Sequence, residues 1–143
     1  MQNLQNRRII MNEITVATPE SNNSGMMAVN FDLQSVEGKK RMFNGLNTPE
    51  SLDKAGVEVL ELEGICVTAE DELDAATGEV TTVLKTTFFT TDGHNYFSKS
   101  FGIGRSAIAL VKACDGKIPE GCKVEVFETA LDGKRTMKQL RWV

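Results

Sequence analysis

Among 143 residues the chain carries one histidine, one tryptophan, one tyrosine and three cysteines, and each shortage removes a class of function. Cys66, Cys114 and Cys122 are odd in number and none stands at C-x-x-C spacing from another. Neither a disulfide framework nor a zinc site is indicated, and reduced, buried thiols are expected. The lone His94 follows Asp92-Gly93, a position that suits a solvated turn residue better than a general base. No stretch reaches the roughly 18 consecutive apolar residues that span a bilayer. The opening MQNLQNRRIIMNEITVATPE lacks the apolar core of a secretory signal, so a cytoplasmic protein is expected. A nucleophile beside a base, a pair of facing carboxylates and a metal-ligating cluster are likewise missing from the pattern. No catalysis, cofactor or metal is therefore expected.

Two motifs imitate chemistry. Gly102-Ile103-Gly104-Arg105-Ser106-Ala107 is close to a dinucleotide fingerprint, but that fingerprint needs a parallel βαβ unit, and the flanking segments read as antiparallel hairpins. These glycines are expected to turn the chain sharply into a helix. The acidic cluster from Glu70 to Asp74 lacks the spacing and the closing Glu of a calcium loop, so a solvated loop is expected there.

What is present fits one folded domain. Hydrophobic residues make up 41% and charged residues 25% of the chain, ordinary values for a globular domain of this length. The net charge of −4 argues against phosphate binding, yet the charge is unevenly placed. Ala55 to Leu84 contains no Lys or Arg, whereas from Lys85 onward basic residues outnumber acidic ones. A folded chain with this pattern can present one acidic and one basic side.

Residues 1–27 are rich in Asn, Gln, Ser and Thr and read as a flexible N-terminal arm. Its Leu4 and Arg7-Arg8-Ile9-Ile10-Met11 suit docking, including contacts that build a homo-oligomer. From Ala28 the alternation of Val29, Phe31 and Leu33 with polar residues predicts a long strand, bent at Glu37-Gly38 and resuming through Asn44. Asn47 to Lys54 reads as a loop with one helical turn. Strands follow at Gly56–Thr68, bulged at Gly64, and at Val80–Thr91, with Asp92-Gly93 as a hairpin turn into His94–Phe97. Ser106–Cys114 has a helical apolar face ending at Asp115-Gly116, and two last strands span Cys122–Thr129 and Thr136–Val143. With His94–Phe97 counted as a short addition to the third strand, three strands, a helix and two strands is the order of the OB-fold, so 28–143 is expected to be a mainly β, five-stranded OB barrel with its helix between the third and fourth strands.

Basic and aromatic residues are interleaved along these strands, a combination that binds single-stranded nucleic acid because cations track phosphates while aromatic faces stack bases. Arg41, Lys85, Lys99, Arg105, Lys134, Arg135, Lys138 and Arg141 are the candidate phosphate contacts, and Phe43, Phe88, Tyr96 and Trp142 the candidate stacking residues. Phe31, Phe89, Phe101 and Phe127 are expected in the core.

Val29-Asn30-Phe31-Asp32, followed by Val36-Glu37-Gly38 and Met42-Phe43-Asn44, resembles the opening of OB-fold single-stranded DNA-binding proteins of Gram-positive phages and conjugative plasmids. The resemblance implies sequence-independent coating of single-stranded DNA, with duplex binding as a secondary capacity, during conjugation or replication, by an oligomer that the arm helps to hold together. An OB-like protein-interaction module without nucleic-acid binding is the alternative, and the overall acidity favours it.

Overall fold

The computed structural model describes residues 26–143. Its organising element is β3 (Val59–Leu73), 15 residues long, where apolar residues alternate with acids up to Leu62 and then run almost unbroken from Ile65 to Ala69. The strand register shifts between Leu62 and Gly64, the bulge expected at that glycine. Along one edge, the first part of β3 pairs with β6 (Lys123–Ala130) and its middle with β1 (Met26–Val29). The opposite edge pairs with β4 (Val80–Thr90) through to Leu73.

Asp92-Gly93 turns β4 into β5 (Asn95–Ser98), with Gly93 at φ 91°, and β6 returns as β7 (Thr136–Trp142). A two-residue strand, β2 (Glu50–Ser51), lies parallel to β5. The strand order is β2-β5-β4-β3-β6-β7, with β1 beside β3, in one mainly antiparallel sheet of seven strands curled into half a barrel.

The helix α3 (Phe101–Cys114) is capped by Ser100, whose Oγ accepts from the Ile103 amide, and it stops at Asp115, whose φ is 54°. Its Ile103, Ala107, Leu110 and Val111 pack on Leu60, Leu62, Ile65, Phe88 and Val124 to form the core. It also covers the free edge of β7, where the Leu140 amide donates to Ser106 Oγ at 3.1 Å. A Cβ on Gly102 would stand 2.1 Å from the Lys138 carbonyl oxygen. The glycines expected to turn the chain before the helix therefore lie inside it, and Gly102 is what lets the helix approach the strand so closely.

The first part of the chain departs most from the sequence expectation. No strand continues past Val29; α1 (Val36–Asn47) stands where the bent strand was expected. Ser35 starts it by accepting from the Gly38 amide at 3.0 Å. Gly38 and Gly45 are poor helix formers, so this helix depends on what it packs against rather than on its own propensity. The expected loop at 47–54 contains β2 and the one-turn α2 (Leu52–Ala55). The acidic loop is shorter than expected, because β3 runs on to Leu73 and the turn is closed by Gly78 N–H donating to the Asp74 carbonyl at 2.7 Å. The described sheet thus has seven strands instead of five, and α3 follows the fifth of them. Of the expected arm, Met26 and Met27 open β1, and the rest lies outside the described residues.

Candidate nucleic-acid interface

Successive strand residues point to opposite faces, so the register of β4 and β5 decides which aromatics can meet a ligand. Phe88 pairs with Tyr96, and Thr87 with Phe97. Phe88 and Tyr96 belong to the core with Ile65 and Ile103, and this face is the inner one. Lys85, Phe89, Asn95, Phe97 and Lys99 accordingly belong to the outer face. On β3 the outer set includes Gly64, Thr68, Glu70 and Glu72, whose partners on β4 are Phe89, Lys85, Val83 and Thr81.

This parity corrects two stacking candidates. Phe88 is 0% exposed and no base can reach it. Tyr96 is buried as well; it lines a cavity of about 320 Å³ with Val57, Leu60 and Asp92, and its hydroxyl meets His94 Nδ1 at 2.9 Å. The outer-face neighbour, Phe97, is the aromatic that the sequence reading missed. It was legible only through the cross-strand register, since a shift of one residue exchanges the faces.

Phe89, also on the outer face, is sealed by α1. A Cβ on Gly45 would be 2.1 Å from the Phe89 ring, so helix backbone lies directly on it. The Arg41 guanidinium stands over the ring at 5.3 Å from its centroid, and Phe31 meets the ring edge-on at 5.5 Å. Arg41 is fully engaged within the fold: Nε pairs with Glu63 at 2.6 Å, Nη1 donates to Asn95 Oδ1, and Nη2 donates to the Thr90 carbonyl at 2.8 Å. Arg41 was expected on a phosphate. Its donors instead fasten α1 to the sheet, so it too is corrected.

Beyond α1 the outer face opens. Lys85 Nζ lies 5.2 Å from the centroid of the half-buried Phe97 ring, an ammonium above an aromatic face. Each lysine here meets a carboxylate from β3. Lys85 stands 3.9 Å from Glu70, and Lys99 stands 2.5 Å from Glu72. The hydrogen bond to Glu72 holds the Lys99 ammonium above its ordinary pKa.

The remaining candidates are spread over other elements. Lys134 and Arg135 are exposed in the β6–β7 turn and form no ion pair with any described residue. On β7, Lys138 binds Asp53 at 2.7 Å, and Arg141 binds Glu125 at 2.9 Å while stacking over Phe127 at 4.4 Å. Trp142 ends that strand half exposed. Arg105 lies 5.9 Å from the ring of Phe101 on the solvent side of α3. Phe101, expected in the core, is 63% exposed, and Phe43 on α1 is 64% exposed. The structure therefore joins Lys85, Phe97 and Lys99 on one face and does not gather the twelve candidates into a single patch.

The cysteines are free; burial pushes the Cys66 thiol up to about 11, and burial with Cys114 nearby pushes Cys122 up to about 11. Among the described residues no cluster of His, Cys, Asp and Glu could hold a metal ion, and no helix is long and apolar enough to cross a membrane.

No curated protein and no solved structure matches the chain. The family model of the phage single-stranded DNA-binding protein matches residues 21–139, which takes in β1, all the sheet strands but the end of β7, and the three helices. With more than four-fifths of its length matched, the chain belongs to the phage single-stranded DNA-binding protein family.

Proposed function

We propose that the protein coats single-stranded DNA without catalysis and largely without regard to sequence, using the outer face of β4 and β5 as its platform. The family match over residues 21–139 carries this reading. Chemistry supports it locally: Phe97 supplies a ring for a base, and Lys85 and Lys99 supply cations beside it. Stacking and phosphate neutralisation read no base edges, so sequence should matter little. Arg105, Lys134, Arg135, Lys138 and Arg141 extend the phosphate contacts, and Phe43 and Trp142 are further stacking surfaces.

We read the five strands β3 to β7 with α3 as an OB barrel, to which β1, β2 and α1 are additions. Plasmid or phage DNA processing, in conjugation or replication, is the proposed setting, in the cytoplasm, with the part of the arm that precedes β1, residues 1–25, linking copies of the chain into an oligomer. Duplex DNA is a weaker ligand, since it offers phosphates but no free base faces.

Fluorescence anisotropy of labelled single-stranded and duplex oligonucleotides across a salt series tests this. Binding to the single strand should weaken as salt rises, with log K falling by about 0.7 per phosphate contact for each unit of log salt. Trp142 emission should quench if bases reach β7. No binding at low salt would refute the reading and leave a protein-interaction module as the better account.

A further inference from the structure

The platform proposed above is electrically closed in the free protein. Its two lysines are Lys85 and Lys99, and each faces a carboxylate on β3, Glu70 at 3.9 Å and Glu72 at 2.5 Å. The register makes this arrangement a property of the sheet. Thr68 stands opposite Lys85 and Glu70 opposite Val83, so Glu70 and Lys85 are diagonal neighbours on one face, within reach of long side chains. Lys99 lies just past the end of β5, and Glu72 reaches it from the far end of β3. Neither acid has another cation within 4 Å among the described residues.

We propose that Glu70 and Glu72 set the affinity of the single-strand site by occupying, as internal substitutes, the positions that DNA phosphates take on Lys85 and Lys99. This rests on the DNA-binding reading of the β4–β5 face. A phosphate that binds either lysine must displace a carboxylate, and exchanging one anion for another yields little net Coulomb energy. The ring of Phe97, which no carboxylate can occupy, then carries the preference for an unpaired base.

The exchange has a signature in salt. Binding of phosphate to a free lysine releases a condensed cation from the DNA, and that release makes binding salt-dependent. When the lysine comes from a carboxylate, the freed carboxylate takes up a cation from solution, and the two events largely cancel. Each lysine on this face therefore adds less than the usual increment to the salt slope. The acids lower both the affinity and its salt dependence, and a strand held through this face can leave it readily.

The test uses the full chain and a fluorescein-labelled oligothymidylate, titrated at several salt concentrations with wild type, Glu70→Gln/Glu72→Gln, and Lys85→Gln/Lys99→Gln. Both glutamates are over 40% exposed at their side chains, and glutamine keeps their shape, so the fold tolerates the change. The glutamate variant should bind more tightly at low salt, by up to about fivefold for each lysine released. Its log K against log salt should steepen by about 0.7 per lysine. The lysine variant should bind more weakly than wild type. If the lysine variant binds weakly but the glutamate variant shows no rise in affinity or in slope, the acids merely position the lysines and the proposal is overturned, while the interface stands. If wild type does not bind, or the lysine variant binds as wild type does, the interface itself is refuted and the proposal with it.

Discussion

Phe89 and Phe97 lie on the same outer face of neighbouring strands, and each has a cation above its ring, Arg41 at 5.3 Å and Lys85 at 5.2 Å. One is core and the other lies on the proposed platform. Over Phe89 the backbone of α1 comes down at Gly45, and Arg41 is anchored by Glu63, Asn95 and the Thr90 carbonyl. Phe97 stays partly exposed, and among the described residues Lys85 pairs with one acid, Glu70, at 3.9 Å. The same pairing of ring and cation thus becomes structure where donors are fixed and water excluded, and in the proposed interface it serves binding where the cation is held by a single acid.

Substitutions at the two rings break this comparison in opposite ways. Phe89→Ala removes a ring that is 0% exposed and should cost about 3–5 kcal/mol of stability in urea denaturation. Phe97→Ala should instead appear in binding, with about 1–3 kcal/mol lost toward a single-stranded oligonucleotide and a smaller loss of stability than at Phe89. Equal stability costs at the two positions would show that Phe97 is as structural as Phe89. Arg41→Lys sharpens the contrast by keeping the charge and losing the fork to Asn95 and Thr90. It should lower stability by roughly 1 kcal/mol in thermal denaturation and leave the salt slope of DNA binding unchanged, because Arg41 meets no phosphate in the proposed interface.

The second half of the chain was legible in advance. Val80 begins β4 where the alternation and the Thr and Val content place it, Asp92-Gly93 turns the chain, and Asp115-Gly116 ends α3. Each of these signals is local: a turn residue, a cap or a period within one element. The segment 29–47 misled because its alternation at Val29, Phe31 and Leu33 is short, and the helix that follows is poor in helix formers. Its stability comes from Phe89, Glu63 and Asn95, residues distant in the chain, and no local pattern carries that information.

The candidate site shows the same division. Composition and interleaving marked Lys85 and Lys99 as cations near aromatics, and both lie on the proposed platform. They could not distinguish Tyr96 from Phe97 or Phe88 from Phe89, since the faces of a strand are assigned by its neighbours. They also gave no hint that Glu70 and Glu72, read as part of a solvated loop, would stand against the two lysines.

What the amino-acid order alone determined is the list of strands from β3 onward, the turn at Asp92-Gly93, the presence and end of the helix among them and the separation of acidic from basic segments, because these depend on propensities and periods within a few residues. Tertiary structure alone decided which ring of each adjacent pair faces out, that α1 seals one of them, and that the acidic strand lies beside the basic one. Those outcomes follow from cross-strand register and from packing between residues far apart in the chain, where a shift of one position exchanges core for surface.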